Sequence, residues 1–491
     1  MLFPSPRNHR QARGHTSTPR HRFPEVLSTH AILAPIALLI ATVFGCSDEE
    51  PASINIALIP GQESYAFHID PKPEKLVLHA VGLDGTSTKV FDKSWPDGTA
   101  TLSIDPDQQV AIDAYGHDAS GSVVLRGSTV FHKLWQQAGT QLPVFLGRVG
   151  TVSRPPSSQQ ISHVGGVASV IDGRFVVAVG GDEAFDRDGD VANTAAFASY
   201  DLAYWESSMV TETLPREPRS LVIVQGRWGL VIDGTGASWF DFFTFESTPV
   251  DPPAGLSFSE VVGGLVLHGE DGEAYLVGPS RKNSPSSAVL RVDWDGTLRV
   301  IRTGVERVGA AAVYVVEHGL LLVGGHPSEP GVLLLNPKAT AFAALPYPAD
   351  SVEGAMAVSI GDGRVLLGGG VSGGLAGDDP ASVRVIDIRC LAECDVLSLE
   401  STADHLGFSH GWAAATGPSE ALFVGEDPHG VGTVIKRISG LDSTPVVEEI
   451  PMREPRIGGS PVAVFGQGVA ILGGRKTLGG GIPSVEVYIP R

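Results

Sequence analysis

The sequence predicts an all-β protein in two folded parts, a small antiparallel β-sandwich followed by a ring of repeated β-sheets. Three observations predict it. Short apolar or alternating runs recur along the chain, separated by Gly, Pro and Asp turn chemistry. From about residue 140, an apolar strand ending in glycine returns seven times at close to fifty-residue intervals. Hydrophobic residues make up 42% of the 491 residues and charged residues 18%, enough to build real cores. Gly 60 and Pro 35 amount to about a fifth of the chain, short of a low-complexity composition. Lys+Arg 35 against Asp+Glu 55 gives a net charge of −20, which excludes a nucleic-acid binder that relies on neutralising phosphates.

The first 45 residues have a composition of their own. Arg7, Arg10, Arg13, Arg20 and Arg22 stand against the single acid Glu25, and the apolar stretch Ala31–Gly45 follows. A basic segment and an apolar core too short to span a bilayer comfortably make a signal peptide over 1–45. The stretch ends in Val43-Phe44-Gly45-Cys46 and continues as Ser47-Asp48-Glu49-Glu50. A small residue directly before a lone Cys resembles the lipobox of bacterial lipoproteins. That resemblance implies cleavage before Cys46, lipidation of its thiol and anchoring to a membrane, with 46–52 as a tether. The protein would then be exported, with an outer-membrane address at the surface or on the periplasmic face. Losing five Arg and one Glu leaves 30 basic and 54 acidic side chains, a net charge of −24. Such a surface repels anionic partners.

Residues 53–133 read as the sandwich. Strands are expected over 54–59, 75–81, 99–104, 109–115 and 122–126, with turns at Asp70-Pro71, Asp84-Gly85, Pro96-Asp97-Gly98 and Asp105-Pro106. The pattern resembles the immunoglobulin-like domains that follow the anchor in bacterial surface lipoproteins, which implies a spacer.

The repeat covers 140–491. Its copies include Arg174-Phe-Val-Val-Ala-Val-Gly-Gly181, Gly319-Leu-Leu-Leu-Val-Gly-Gly325, Arg364-Val-Leu-Leu-Gly-Gly-Gly370 and Gly468-Val-Ala-Ile-Leu-Gly-Gly474, with weaker copies ending at Gly234, Gly278 and Gly425. Measured between the closing glycines (Gly369 in the fifth copy), the steps are 53, 44, 47, 44, 56 and 49 residues. A small or apolar strand precedes each glycine pair, as in 308–314, and another follows, as in Ala198-Ser-Tyr-Asp201 and Val383-Arg-Val-Ile-Asp387. Trp205 and Phe342 follow two of these. Strand, Gly-Gly, strand and aromatic in this order resemble the kelch-type β-propeller, which implies about seven blades. Sheets of this kind bury their faces only against one another. The last copy stops at its third strand, so residues 142–150 are expected to supply the fourth and close the ring.

Several segments could carry chemistry. Asp186, Asp188 and Asp190 alternate around Gly189 as in a calcium loop, although the sixth and twelfth positions hold Val191 and Phe197 instead of the Gly and Glu of an EF-hand. Cys390 and Cys394 are spaced to close a small disulfide in an exported chain. Arg154, Arg219, Arg307 and Arg456 lie near repeat starts, and by the kelch resemblance such arginines line one mouth of the channel. His405 and His410, with Asp404, and also His163, sit where they would line the channel. Arg154, Arg307, His405 and His410 are thus the candidate ligand-binding set, with ion pairing and satisfied histidines as the structural alternative. No Gly-x-Ser-x-Gly elbow, His-Glu-x-x-His or sialidase box occurs, and no Cys is placed for a copper site like that of galactose oxidase. The sequence reads as a lipid-anchored envelope protein whose propeller binds protein or glycan without catalysis and needs no cofactor. A carbohydrate-active lyase or epimerase and a structural subunit of an envelope complex are the alternatives.

Overall fold

The computed structural model describes residues 53–491, apart from 96–98, 104–108, 134–140, 280–284, 373–378, 399–404, 409–410, 418, 428–431, 442–443, 465 and 467. Residues 1–52, over which a signal peptide and tether are expected and which include Cys46, therefore lie outside the described residues, as do Asp404 and His410.

The N-terminal unit is two packed β-sheets. One joins Thr99–Ser103, Ser53–Ile59 and Gln141–Phe145; the other runs Ser87–Ser94, Lys75–Gly82, Gln109–His117, Val123–Ser128 and Gly147–Arg148, with His132–Lys133 against Gln109–His117. The period-2 alternation puts Ile54, Ile56, Leu76, Leu78, Ile112, Leu142 and Val144 into one core. Strand Ser87–Ser94, which the sequence reading did not include, is exposed over most of its length at the edge of its sheet. An edge strand has little apolar burial to write into its sequence.

Beyond it, the described residues form seven four-stranded antiparallel sheets, and the architecture is a β-propeller. In the first six, the strands follow chain order from the innermost outward; the first is Val167–Ile171, Phe175–Val179, Ala196–Asp201 and Glu206–Thr213. The inner strands of successive sheets pack side by side, and Ser460–Val464 of the last packs beside Val167–Ile171 of the first. The fourth strand of the last sheet is Thr151–Ser153, paired antiparallel with Glu486–Ile489. This corrects the expected closing strand. Residues 141–145 pair in parallel with Asn55–Ile59 instead, and belong to the N-terminal unit, which therefore runs past residue 133. Residues 141–145 carry Leu142, Val144 and Phe145, whereas 151–153 are Thr-Val-Ser with a single apolar residue, so the closing strand has little hydrophobic pattern of its own.

The glycine pairs place the sheets. Gly180 has φ +70°, and a Cβ there would lie 1.8 Å from the carbonyl of Pro218 in the next sheet. Gly181, at φ +90°, faces the carbonyl of Val164, at the end of the short strand Ile161–Val164 just ahead of its sheet, 2.3 Å from where a Cβ would stand. One glycine thus admits the neighbouring sheet and the other admits the strand ahead of its own.

The N-terminal unit plugs the junction of the first and last sheets. Phe145 and Val130 pack with Tyr200 and Trp205 of the first sheet and with Val462, Val487 and Ile489 of the last. The Phe145 and Trp205 rings lie 4.9 Å apart, both wholly buried. Each such side chain contributes on the order of 2–3 kcal/mol. The Arg154 backbone N–H donates to Glu63 Oε2 at 2.8 Å and its Nε to Oε1 at 2.8 Å, which pins the two units together by polar contacts as well.

Candidate functional site

Most of the groups singled out in the sequence are engaged by neighbouring carbonyls or carboxylates. Arg307 is buried, and its guanidinium donates to the carbonyls of Gly324 and Pro330, both at 2.6 Å. Arg456 donates to the carbonyls of Gly473 and Ser484, both at 2.9 Å, and to Glu486 Oε1 at 2.7 Å. His163 Nδ1 lies 2.9 Å from the Gly180 carbonyl, which makes it the protonated nitrogen, and burial holds the ring below its ordinary pKa. These three share one geometry: each stands seventeen residues before the first glycine of its pair and binds that glycine's carbonyl. They stitch the loops of a glycine-lined mouth.

Arg154, a quarter exposed, joins Glu63 of the N-terminal unit and approaches Glu454 at 3.5 Å. Arg219 pairs with Asp182 of the preceding sheet at 2.8 Å. His405 is exposed and bridges Ser382 through its backbone. Arg154 thus stands at the seam of the two units, Arg307 at the end of a fourth strand and His405 in a loop. The Asp186–Asp190 segment is a tight turn in which Asp186 Oδ1 accepts the N–H groups of Asp188 at 3.0 Å and Asp190 at 2.9 Å. Among the described residues, no group of three or more His, Cys, Asp or Glu could hold a metal ion. Cys390 and Cys394 are joined by a disulfide that closes a turn, with Cys394 buried against the fifth sheet.

The opposite end of the sheets has a different chemistry. There, the third strand ends in an aspartate that an arginine clamps. Arg174 Nε binds Asp201 at 2.9 Å, Arg227 Nε binds Asp241 at 2.8 Å, Arg291 Nε binds Asp293 at 2.7 Å and Arg389 Nε binds Asp387 at 2.9 Å. One to three residues beyond the aspartate, the first three sheets expose an aromatic ring: Tyr204, Phe243 and Trp294. Arg174 lies 5.4 Å from the Tyr204 ring and Arg227 lies 5.7 Å from Phe243, within cation–π reach. Sequence reasoning passed over this rim. The recurring third-strand Asp, visible at Asp201, Asp241, Asp293 and Asp387, is the signal that could have found it.

Between the third and fourth sheets, the rim opens into a groove of about 650 Å³ lined by Asp271, Glu273, Arg291, Trp294, Arg299 and Lys338, among others. Its floor is fixed by Arg291, which reaches across to donate to the Pro337 carbonyl at 2.7 Å. Beneath it, Tyr275 and Tyr314 stack with centroids 6.0 Å apart; burial, with Glu273 nearby, pushes the Tyr314 hydroxyl up to about 12. The groove offers a flat apolar face beside hydrogen-bonding groups of both signs.

The sequence matches no family model and no curated protein. Among solved structures, YCF48 bound to a D1 peptide is similar over 69% of this chain and 96% of that one, with 13% identity and a TM-score of 0.39.

Proposed function

We propose that this chain is a lipid-anchored protein of the bacterial cell envelope, whose propeller is a non-catalytic binding platform for protein or glycan. In this reading, residues 1–45 are removed and Cys46 carries the anchor. Residues 46–52 are the tether, and an immunoglobulin-like sandwich holds a seven-bladed kelch-like propeller off an outer membrane. No cofactor takes part.

The observation that carries the reading is where the chemistry is spent. The arginines and the histidine of the glycine-lined mouth are tied to backbone carbonyls or to carboxylates, whereas Tyr204, Phe243 and Trp294 stand in solvent on the turn rim. Exposed aromatic rings held beside polar groups are what a recognition surface uses. The acidic surface favours solubility and disfavours nucleic acid.

The test is to screen the full mature chain against glycan and peptide arrays and to recover the bound ligand. Saturable binding with the ligand returned intact is expected. Cleaved, eliminated or epimerised sugar would instead make the protein a carbohydrate-active enzyme. Retention of envelope proteins alone would make it a structural subunit. Labelling with an alkyne fatty acid, present in the wild type and lost in Cys46→Ser, tests the anchor.

A further inference from the structure

We propose that the groove between the third and fourth sheets is a saccharide site, with Trp294 as the platform on which a neutral pyranose ring stacks. The inference rests on the binding-platform reading above and assigns it a place and a ligand class.

Trp294 leaves 59% of its surface in solvent, although burying a large apolar side chain is favourable. The ring is nonetheless seated. A Cβ on Gly272 would stand 2.9 Å from indole Cδ1, so only glycine leaves room for the ring, and Gly272 is also at φ +80°. The Trp294 carbonyl is held by Gln225 Nε2 of the second sheet at 2.9 Å. With its backbone held and its ring beside Gly272, Trp294 has fewer side-chain positions to lose when a ligand covers it. The carbon-bound hydrogens on one face of a pyranose carry partial positive charge and meet the negative face of the indole.

The groups around the ring choose among ligands. Asp293 is consumed by Arg291 at 2.7 Å and Arg299 at 2.6 Å. Glu273 is buried and accepts the Asp271 N–H at 3.0 Å and the Tyr275 hydroxyl at 3.3 Å. Asp271, Asp295, Lys338 and Thr340 remain exposed, two carboxylates with an ammonium and a hydroxyl. A phosphate or a polyanion meets Asp271 and Asp295; a strongly basic peptide meets Arg299 and Lys338. A neutral polyhydroxyl chain donates to the first and accepts from the second. The groove volume of about 650 Å³ is within the range of small-molecule sites.

The test titrates the full mature chain with cellohexaose, maltohexaose, chitohexaose and mannohexaose, following tryptophan fluorescence and heat. At least one should bind and change the fluorescence, with affinity falling about tenfold or more in Trp294→Ala and by less in Trp294→Phe. Tyr65→Ala, an exposed aromatic of the N-terminal unit, should bind as the wild type does. Because Trp294 is a surface residue, unchanged circular dichroism will show that its variants fold. The proposal is overturned if none of the four binds, or if binding survives Trp294→Ala unchanged. A peptide whose binding requires Trp294 would overturn the saccharide assignment and keep the platform; a sugar converted to product would overturn the platform itself.

Discussion

Replacing Arg456 with Met tests whether the arginines of the glycine-lined mouth are structural. Arg456 and Glu486 are both wholly buried, and their ion pair is 2.7 Å long. The substitution keeps much of the side-chain volume but leaves the carbonyls of Gly473 and Ser484 without this donor. It also leaves the Glu486 carboxylate with only the N–H groups of Arg453 and Glu454, at 2.8 and 2.9 Å. Removing one partner of a buried pair costs about 3–5 kcal/mol. Since two of the three donors to Glu486 survive, the lower half of that range, about 3–4 kcal/mol, is expected. Urea unfolding at pH 7, followed by tryptophan fluorescence, measures it. Adding Glu486→Gln should recover about 2 kcal/mol at pH 7. A loss below about 1 kcal/mol, or no recovery on adding Glu486→Gln, would refute the reasoning and leave Arg456 free to meet a ligand.

Three further outcomes follow from the same contacts. His132, buried beside Arg174 and Asp201, is held down at about 4, by burial first and by Arg174 second. The unfolded chain therefore takes up a proton that the folded one refuses. About 2–3 kcal/mol of stability should be lost between pH 6.5 and 4, and His132→Gln should flatten that slope in thermal melts. Gly180→Ala should cost about 3 kcal/mol or more, because the added methyl meets the Pro218 carbonyl, whereas Gly189→Ala, at φ +91° in open space, should cost about 1 kcal/mol. Thermal melts that cannot tell these two apart would count against the close approach of the first two sheets. Arg154→Ala should leave Glu63, 3% exposed, without its cation. Limited proteolysis should then cut between the two units well before the sheets themselves.

The sequence and the structure agree where burial is strong. Second strands such as Leu320–Val323 and Val365–Leu367 are apolar throughout because both of their faces are covered, and their glycines mark the closest approaches. Outer strands such as Glu206–Thr213 are mostly exposed and left little trace in the sequence. The closing strand was misplaced because 141–145 is the more apolar segment and 151–153, Thr-Val-Ser, has only Val152 to mark it; their tertiary partners, Asn55–Ile59 and Glu486–Ile489, separate them. The candidate site was less legible still. A buried arginine and a ligand-facing one look alike in a sequence, and Arg307 turned out to be the first kind. The groove joins Asp271, Trp294 and Lys338 from two sheets, and none of the three belongs to a motif.

The claim that recognition belongs to the turn rim and not to the glycine-lined mouth can be tested in one measurement. Hydrogen–deuterium exchange of the full mature chain, with and without the tightest-binding hexasaccharide, reads both ends of the sheets at once. Slowed exchange at residues 271–273, 291–301 and 337–340, with 163–166, 307–310 and 456–459 unchanged, is the predicted result. Slowed exchange at the second group and not the first would place the ligand at the mouth and contradict the account.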